Sequence, residues 1–337
     1  MSIDGHRRRH LESVCNRRNH RDRANQKRTQ REVSHLLTVW NRQLRKQGWL
    51  YLLVTPGILY FVIFKYLPMT GLVIAFQNYQ PFLGIAHSKW VGLKHFDRFI
   101  HEPAFWMLMR NTLVLSLYNI VFFFPLPILI ALMLNELRIQ WMKRVIQTVI
   151  YIPHFMSWVV VVGLAYMFFT TQDGIVNNWL SMGGADPIPF LGSDGWFRPM
   201  ITLEVIWKET GWGTIIFLAA ISGVDPGLYE SAKLDGANRF RQMWHITLPA
   251  IRSTIIILAI LRLGSFMENG FEQIFLMLNS LNRDVGEVFD TYVYTSGVLQ
   301  GNFSYSAAIG LFKSVISLVL VVAANYGARK WGEEGIY

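Results

Sequence analysis

The chain has 337 residues, of which 52% are hydrophobic and only 16% charged, with a formal net charge of +10 and a positive mean hydropathy. That balance excludes both an ordinary soluble domain and a disordered chain. The positive excess is no sign of nucleic-acid binding, because most of it lies in one Arg/His/Asn-rich stretch, 1–47, without interleaved aromatics or an RNA-binding module. A partly disordered, lipid-facing tail that sets topology is the better reading, and it is too long and too polar for a cleavable signal peptide. The single cysteine, Cys15, lies in this tail, so neither an intrachain disulfide nor a cysteine metal cluster is expected. His6, His10, His20 and His35 lack a compact ligand spacing, and no metal site is read.

Six apolar runs, 49–76, 105–134, 145–169, 200–221, 251–278 and 306–326, are long enough to cross a hydrocarbon core about 30 Å thick. None alternates like a barrel strand, so the expected fold class is an all-α integral membrane protein of six transmembrane helices. Its parts are a basic cytoplasmic tail over 1–47, a membrane domain over 48–330 and a short cytoplasmic tail over 331–337. In the first run Pro56, Gly57 and Pro68 predict kinks, and Pro125, Pro127 and Pro153 predict bends in the second and third. The mixed aromatic and basic segment WVGLKHFDRFI at 90–100 suits an interfacial or outer helix. Residues 171–199 read as an outer loop with a short helix, and 279–303 as another outer loop.

Orientation follows from cations. The N-terminal tail holds thirteen Lys or Arg residues from Arg7 to Lys46, and Arg138, Lys143, Arg144, Lys233, Arg239, Arg241, Arg252, Arg329 and Lys330 fall on the same side. Only Lys89, Lys94, Arg98, Arg198 and Arg283 occupy the opposite loops. Both termini and the segment between spans four and five are therefore expected in the cytoplasm.

That segment, 225–249, reads as a polar helical hairpin. Pro226 suits a helix start, Glu230 complements the helix dipole, Gly236 permits a turn, and a second short helix is expected over 238–246 before Pro249 opens span five. Glu230, Ser231, Ala232, Asp235, Gly236 and Ala237, followed by Ile246, Leu248 and Pro249, match the EAA loop of bacterial ABC importer permeases, with Ser231 in place of the usual alanine. The alternative is an ordinary cytoplasmic helix–loop–helix. On these residues the chain resembles the binding-protein-dependent ABC importer permeases of type I fold. FQNY at 76–79, WVGLKHF at 90–96, NTL at 111–113, DTYVY at 290–294, YSAAIGLFKSVISL at 305–318 and RKWGEEGIY at 329–337 are similar to its carbohydrate branch, in the oligosaccharide and polysaccharide subgroup. The likeness covers about 48–337.

The resemblance implies an importer subunit moving oligosaccharides or polysaccharide fragments by alternating access. It implies coupling to separate ATPase subunits through Glu230, Ser231, Ala232, Asp235, Gly236, Ala237, Leu248 and Pro249. This chain would bind no cofactor, since it lacks a GxxxxGK[ST] motif; ATP and Mg would sit on two ABC ATPase subunits. Further implied partners are a second, related permease and an extracytoplasmic sugar-binding protein in a bacterial plasma membrane.

Charged groups inside apolar spans cost about 2.5–3.5 kcal/mol each on insertion scales and normally face protein or water. Glu204, Trp207 and Lys208 in span four, with Glu268, Asn269, Glu272 and Gln273 in span five, are therefore candidates for the substrate path. Trp207 or Trp212 offers a face for a sugar ring. A structural reading competes: Glu204 and Lys208 share a helix face and suit a neutralised pair, Lys313 suits an acid in span five, and Tyr292 and Tyr294 suit a packed outer cap. A non-sugar permease and a membrane-embedded enzyme are the remaining alternatives, the latter supported only by Glu268 and Glu272 four residues apart.

Overall fold

The structure, a computed structural model, describes residues 48–330. The basic tail with Cys15 and its histidines, and the last seven residues, lie outside the described residues. The chain divides into two compact units, 1–71 and 72–337. In the first, the helical run opening at Gly48 passes through a π-turn at Val62–Tyr66 just before Pro68. A proline ring cannot donate to the ladder and crowds the preceding turn, which is why the regular helix gives way there.

The second unit opens with a two-stranded antiparallel ribbon in which Gln77 faces Trp90 and Asn78 faces Lys89. His95 Nε2 meets the Gln77 carbonyl at 3.1 Å, and the Tyr79 amide donates to Ser304 Oγ at 2.9 Å, pinning the ribbon to the start of span six. The expected helix near 90–100 forms at Lys94–Ile100, with Phe99 buried on its inner face.

Three helices without a sharp bend, Gly48–Phe76, Ala104–Glu136 and Phe303–Lys330, are long and apolar enough to cross a membrane; counting each of three bent pairs as one span gives six. Ala104–Glu136 contains a π-turn at Asn119–Phe123, ahead of Pro125. Span three breaks by 104° between Gln140–Phe155 and Trp158–Phe169, next to Pro153. Span four is a single helix, Asp194–Ser222, packed along Pro125–Glu136. At Gly211 the helix meets that break: a Cβ there would lie 1.9 Å from the Ile150 carbonyl oxygen, so no larger residue fits.

Span five departs from the continuous run expected over 251–278. Arg252–Gly264 is helical, 265–270 is not, and the helix resumes at Phe271–Met277 beyond Gly270, whose φ is +73°. The outer segment 279–303, expected as a loop, is largely helical: Phe289–Tyr294 runs on through a π-turn at Thr295–Leu299 and packs on Phe303–Lys330.

Three apolar clusters hold this unit. One gathers Phe197, Ile201, Ile274 and Met277; a second Phe99, Leu108, Phe289 and Ile309; a third Ala131, Leu132, Phe217, Ile221 and Ile251. Leu117, Val121, Phe122, Val315, Leu318, Val319 and Val322 remain exposed along spans two and six, a surface that lipid or another apolar chain covers.

Candidate functional site

The hairpin after span four is built by local chemistry. Asp225 caps the first helix, Pro226–Leu234, by accepting the Gly227 amide at 2.8 Å. Its far end is a Schellman turn: the Gly236 amide donates to Lys233 O at 3.1 Å and the Ala237 amide to Ala232 O at 2.8 Å. Gly236 sits at φ +77°, where an L side chain is strained, and the glycine is required by that turn. Asn238 caps the second helix by accepting the Arg241 amide at 2.9 Å. Tyr229 and Thr247 hydroxyls meet at 2.9 Å and join the two arms, while Arg239 donates to the carbonyl and carboxylate of Glu136 at 3.0 and 3.2 Å. A polar cavity of about 640 Å³ lies between the hairpin and the end of span two, lined by Glu136, Arg138, Lys233 and Gln242 among others.

Of the residues expected to couple, Glu230, Ser231, Asp235, Gly236 and Pro249 are exposed, and Ala232 and Ala237 are half-buried at the turn. Leu248 packs against the cluster of Phe217, Ile221 and Ile251, so it anchors the hairpin. The reading of 225–249 did not include Leu234, at 90% exposed the most open large apolar side chain of the element, or the exposed Phe240 and Trp244. An apolar group beside a glycine turn was the available signal.

The membrane candidates separate into two groups. Glu204 is buried and accepts from Gln273 Nε2 at 2.7 Å; the same nitrogen donates to Ile201 O at 2.9 Å. Buried Asn269 donates to Thr112 O at 3.2 Å and accepts from Ser116 Oγ at 3.0 Å. These three knit spans two, four and five together. The expected Glu204–Lys208 pair is absent among the described residues: Lys208 donates to His154 O at 2.6 Å and pairs with Glu209 at 3.4 Å. Pro153 breaks span three there and leaves that carbonyl for the lysine. Lys313 pairs with Asp290 of the outer helix, not with an acid of span five, because the outer helix folds back along span six. Glu268 lies in the non-helical break and is exposed, as is Glu272, so the two do not share one helix face. Trp207 is half-exposed and lines an apolar cavity of about 260 Å³ with Val161, Leu164 and Phe168.

The polar centre that residue spacing did not assemble lies one turn further along span four. His154 Nδ1 meets Glu209 Oε2 at 2.9 Å, and its ring stacks on Trp212 with centroids 4.6 Å apart and planes 8° from parallel. Beside them is a cavity of about 350 Å³ lined by Phe123, Pro127, Glu209, Trp212 and Arg262. A histidine directly after the proline of an apolar run was the trace of this centre in the sequence. The geometry is a largely apolar and aromatic recess beside a broken helix, carrying the charged groups of Glu209 and Arg262.

At the outer end, buried Asn111 donates to the carbonyls of Asp284 and Glu287, both at 3.0 Å, and accepts from Arg198 at 2.9 Å. Burial pushes the Glu287 carboxyl above the usual carboxylate range, and Arg283 draws it back only in part.

A broken-helix membrane bundle with a capped polar hairpin between spans four and five defines a transport permease. Residues 123–332 match the family described as the binding-protein-dependent transport system inner membrane component, and the chain belongs to that family. It is a transport subunit of an ABC importer and not an enzyme, with ATP hydrolysis on separate subunits. The polygalacturonan/rhamnogalacturonan transport system permease protein YteP of Bacillus subtilis is 58% identical over 88% of this chain and 92% of its own. Protein LplB of the same organism is 55% identical over 88% and 94%. A chain of a bacterial alginate ABC transporter, solved with an alginate pentasaccharide-bound periplasmic protein, superposes with a TM-score of 0.81 at 39% identity, covering 88% of this chain and 99% of that one.

Proposed function

We propose that the chain is one of two related permeases that carry oligosaccharides cut from an acidic polysaccharide into a bacterial cell. The observation that carries this reading is the likeness, along nearly the whole chain, to a polygalacturonan/rhamnogalacturonan permease and to an alginate transporter. An extracytoplasmic binding protein delivers the sugar. Two ABC ATPases holding ATP and Mg drive alternation between outward-open and inward-open states. The hairpin of Glu230, Ser231, Ala232, Asp235, Gly236 and Ala237 docks in one ATPase, and both termini lie on its side of the membrane. The recess of Glu209, Trp212 and Arg262 belongs to the sugar path; Glu204, Asn269 and Gln273 hold its walls.

Gly236→Val tests the coupling role. The turn needs φ +77° and has open space around it, so the substitution strains and obstructs the hairpin without disturbing the bundle. Uptake of an oligogalacturonate by cells carrying the whole importer is expected to be lost while the subunit still inserts in the membrane. Unimpaired uptake by this variant would sink the coupling assignment.

A further inference from the structure

Arg262 stands on Arg252–Gly264, the part of span five that follows the hairpin. Ten residues beyond Arg252 at about 1.5 Å each place it roughly 15 Å along, near the middle of a core about 30 Å thick. A cation at that depth is kept where it meets an anion or water. Among the described residues no carboxylate lies within ion-pair distance of it, and its guanidinium sits 5.4 Å from the centre of the Phe123 ring. Glu209 lines the same cavity but is engaged twice, by Lys208 at 3.4 Å and by His154 at 2.9 Å. Glu209 and Arg262 are the charged side chains of the recess lining, and with Glu209 held by Lys208 and His154 the guanidinium has no carboxylate at ion-pair distance.

The recess also has the shape of a ligand site. Its volume of about 350 Å³ falls in the usual small-molecule range of about 300–1,000 Å³. Trp212 gives one ring face to His154 and is still 47% exposed, which leaves the other face for an apolar ring surface. A planar guanidinium beside an aromatic platform matches a sugar ring bearing a carboxylate, which takes the arginine fork in two parallel hydrogen bonds.

We infer that Arg262 is a specificity-determining residue of the translocation path, receiving the carboxylate of a uronic-acid unit while Trp212 packs against its ring. The inference rests on the oligosaccharide reading above. It assigns to this subunit, and not only to the delivery protein, a preference for acidic over neutral sugars.

The test uses the complete importer reconstituted in proteoliposomes with its binding protein. Uptake of labelled trigalacturonate is compared with that of the fully methyl-esterified trimer, each normalised to its affinity for the binding protein. Co-purification of all subunits reports assembly. In Arg262→Gln the preference for acid over ester is expected to fall at least about tenfold, with a raised KM for the acid. Arg262→Lys, which keeps the charge without the fork, is expected to retain an intermediate preference. An unchanged preference in Arg262→Gln, whether uptake of both trimers persists or is lost equally, overturns the inference and makes Arg262 a packing residue. Import of the ester but not the acid by the unaltered complex also overturns it and leaves the importer reading intact. Import of neither overturns the sugar reading itself, and this inference with it.

Discussion

Leu234 stands at the tip of the hairpin, 90% exposed, on a turn fixed by the Schellman bonds to Lys233 and Ala232. If that tip enters a groove on the ATPase, Leu234→Ala removes three buried carbon groups from the contact. At about 0.8 kcal/mol each the loss is up to about 2.4 kcal/mol, or roughly a fifty-fold weaker Kd. The helix itself is not expected to suffer, since alanine is the better helix former and the side chain makes no core contact. The assay is a titration of labelled ATPase onto the permease pair in nanodiscs, with subunit folding checked by thermal unfolding. Phe82→Ala is the control: Phe82 is 102% exposed but lies in the turn before the Lys89–Trp90 strand, outside the hairpin proposed to dock. Binding of Leu234→Ala within about twofold of the unaltered pair, or an equal loss in the control, would refute the docking geometry.

Two further outcomes concern the outer half. Asp290→Asn is expected to destabilise the subunit by about 1–3 kcal/mol, since the Lys313 ion pair is mostly but not fully buried; the exchanged pair, Asp290→Lys with Lys313→Asp, is expected to recover part of the loss in thermal unfolding, and no recovery would deny a direct ionic contact. Glu287 has its carboxyl raised by burial, against the pull of Arg283, so its contribution to stability is present below its unfolded pKa and is lost as pH rises through its folded one. Glu287→Gln is therefore expected to raise the melting temperature relative to the native chain at pH 8 but not near pH 4; parallel curves for the two proteins would count against the burial account.

The hairpin was legible because its determinants are local. Asp225 and Pro226 open a helix and Gly236 closes it, within a dozen residues, and backbone chemistry at such short range is written in the order of side chains. The NTL motif at 111–113 was legible only as a resemblance; its meaning emerged when Asn111 was found bonded across more than 170 residues to Asp284 and Glu287. Spacing misled for Glu204 and Lys208. Four residues apart on one helix predicts a pair on an exposed face, but both are buried, and each finds a better partner on another span: Gln273 for the acid, the His154 carbonyl for the lysine. Lys313 was given a partner in span five because 279–303 read as loop; the helix that carries Asp290 was hidden among Gly, Asp and Thr that ordinarily favour turns. Arg262 is a charge within an apolar run, yet its relation to Glu209 and Trp212 depends on how two helices meet, which no single-segment pattern contains.

The 104° break in span three bears on how the subunit is made. Trp158–Phe169 has 12 residues, which at a rise of about 1.5 Å reach only about 18 Å, well short of the hydrocarbon thickness. Its preceding piece, Gln140–Phe155, turns away at almost a right angle. Neither piece of this stretch alone makes a straight span. Its backbone is braced only when span four arrives, bringing Gly211 against Ile150 and Lys208 to the freed His154 carbonyl. Spans three and four are thus expected to insert as a pair, and span three expressed without span four is expected to integrate poorly in a membrane-insertion assay.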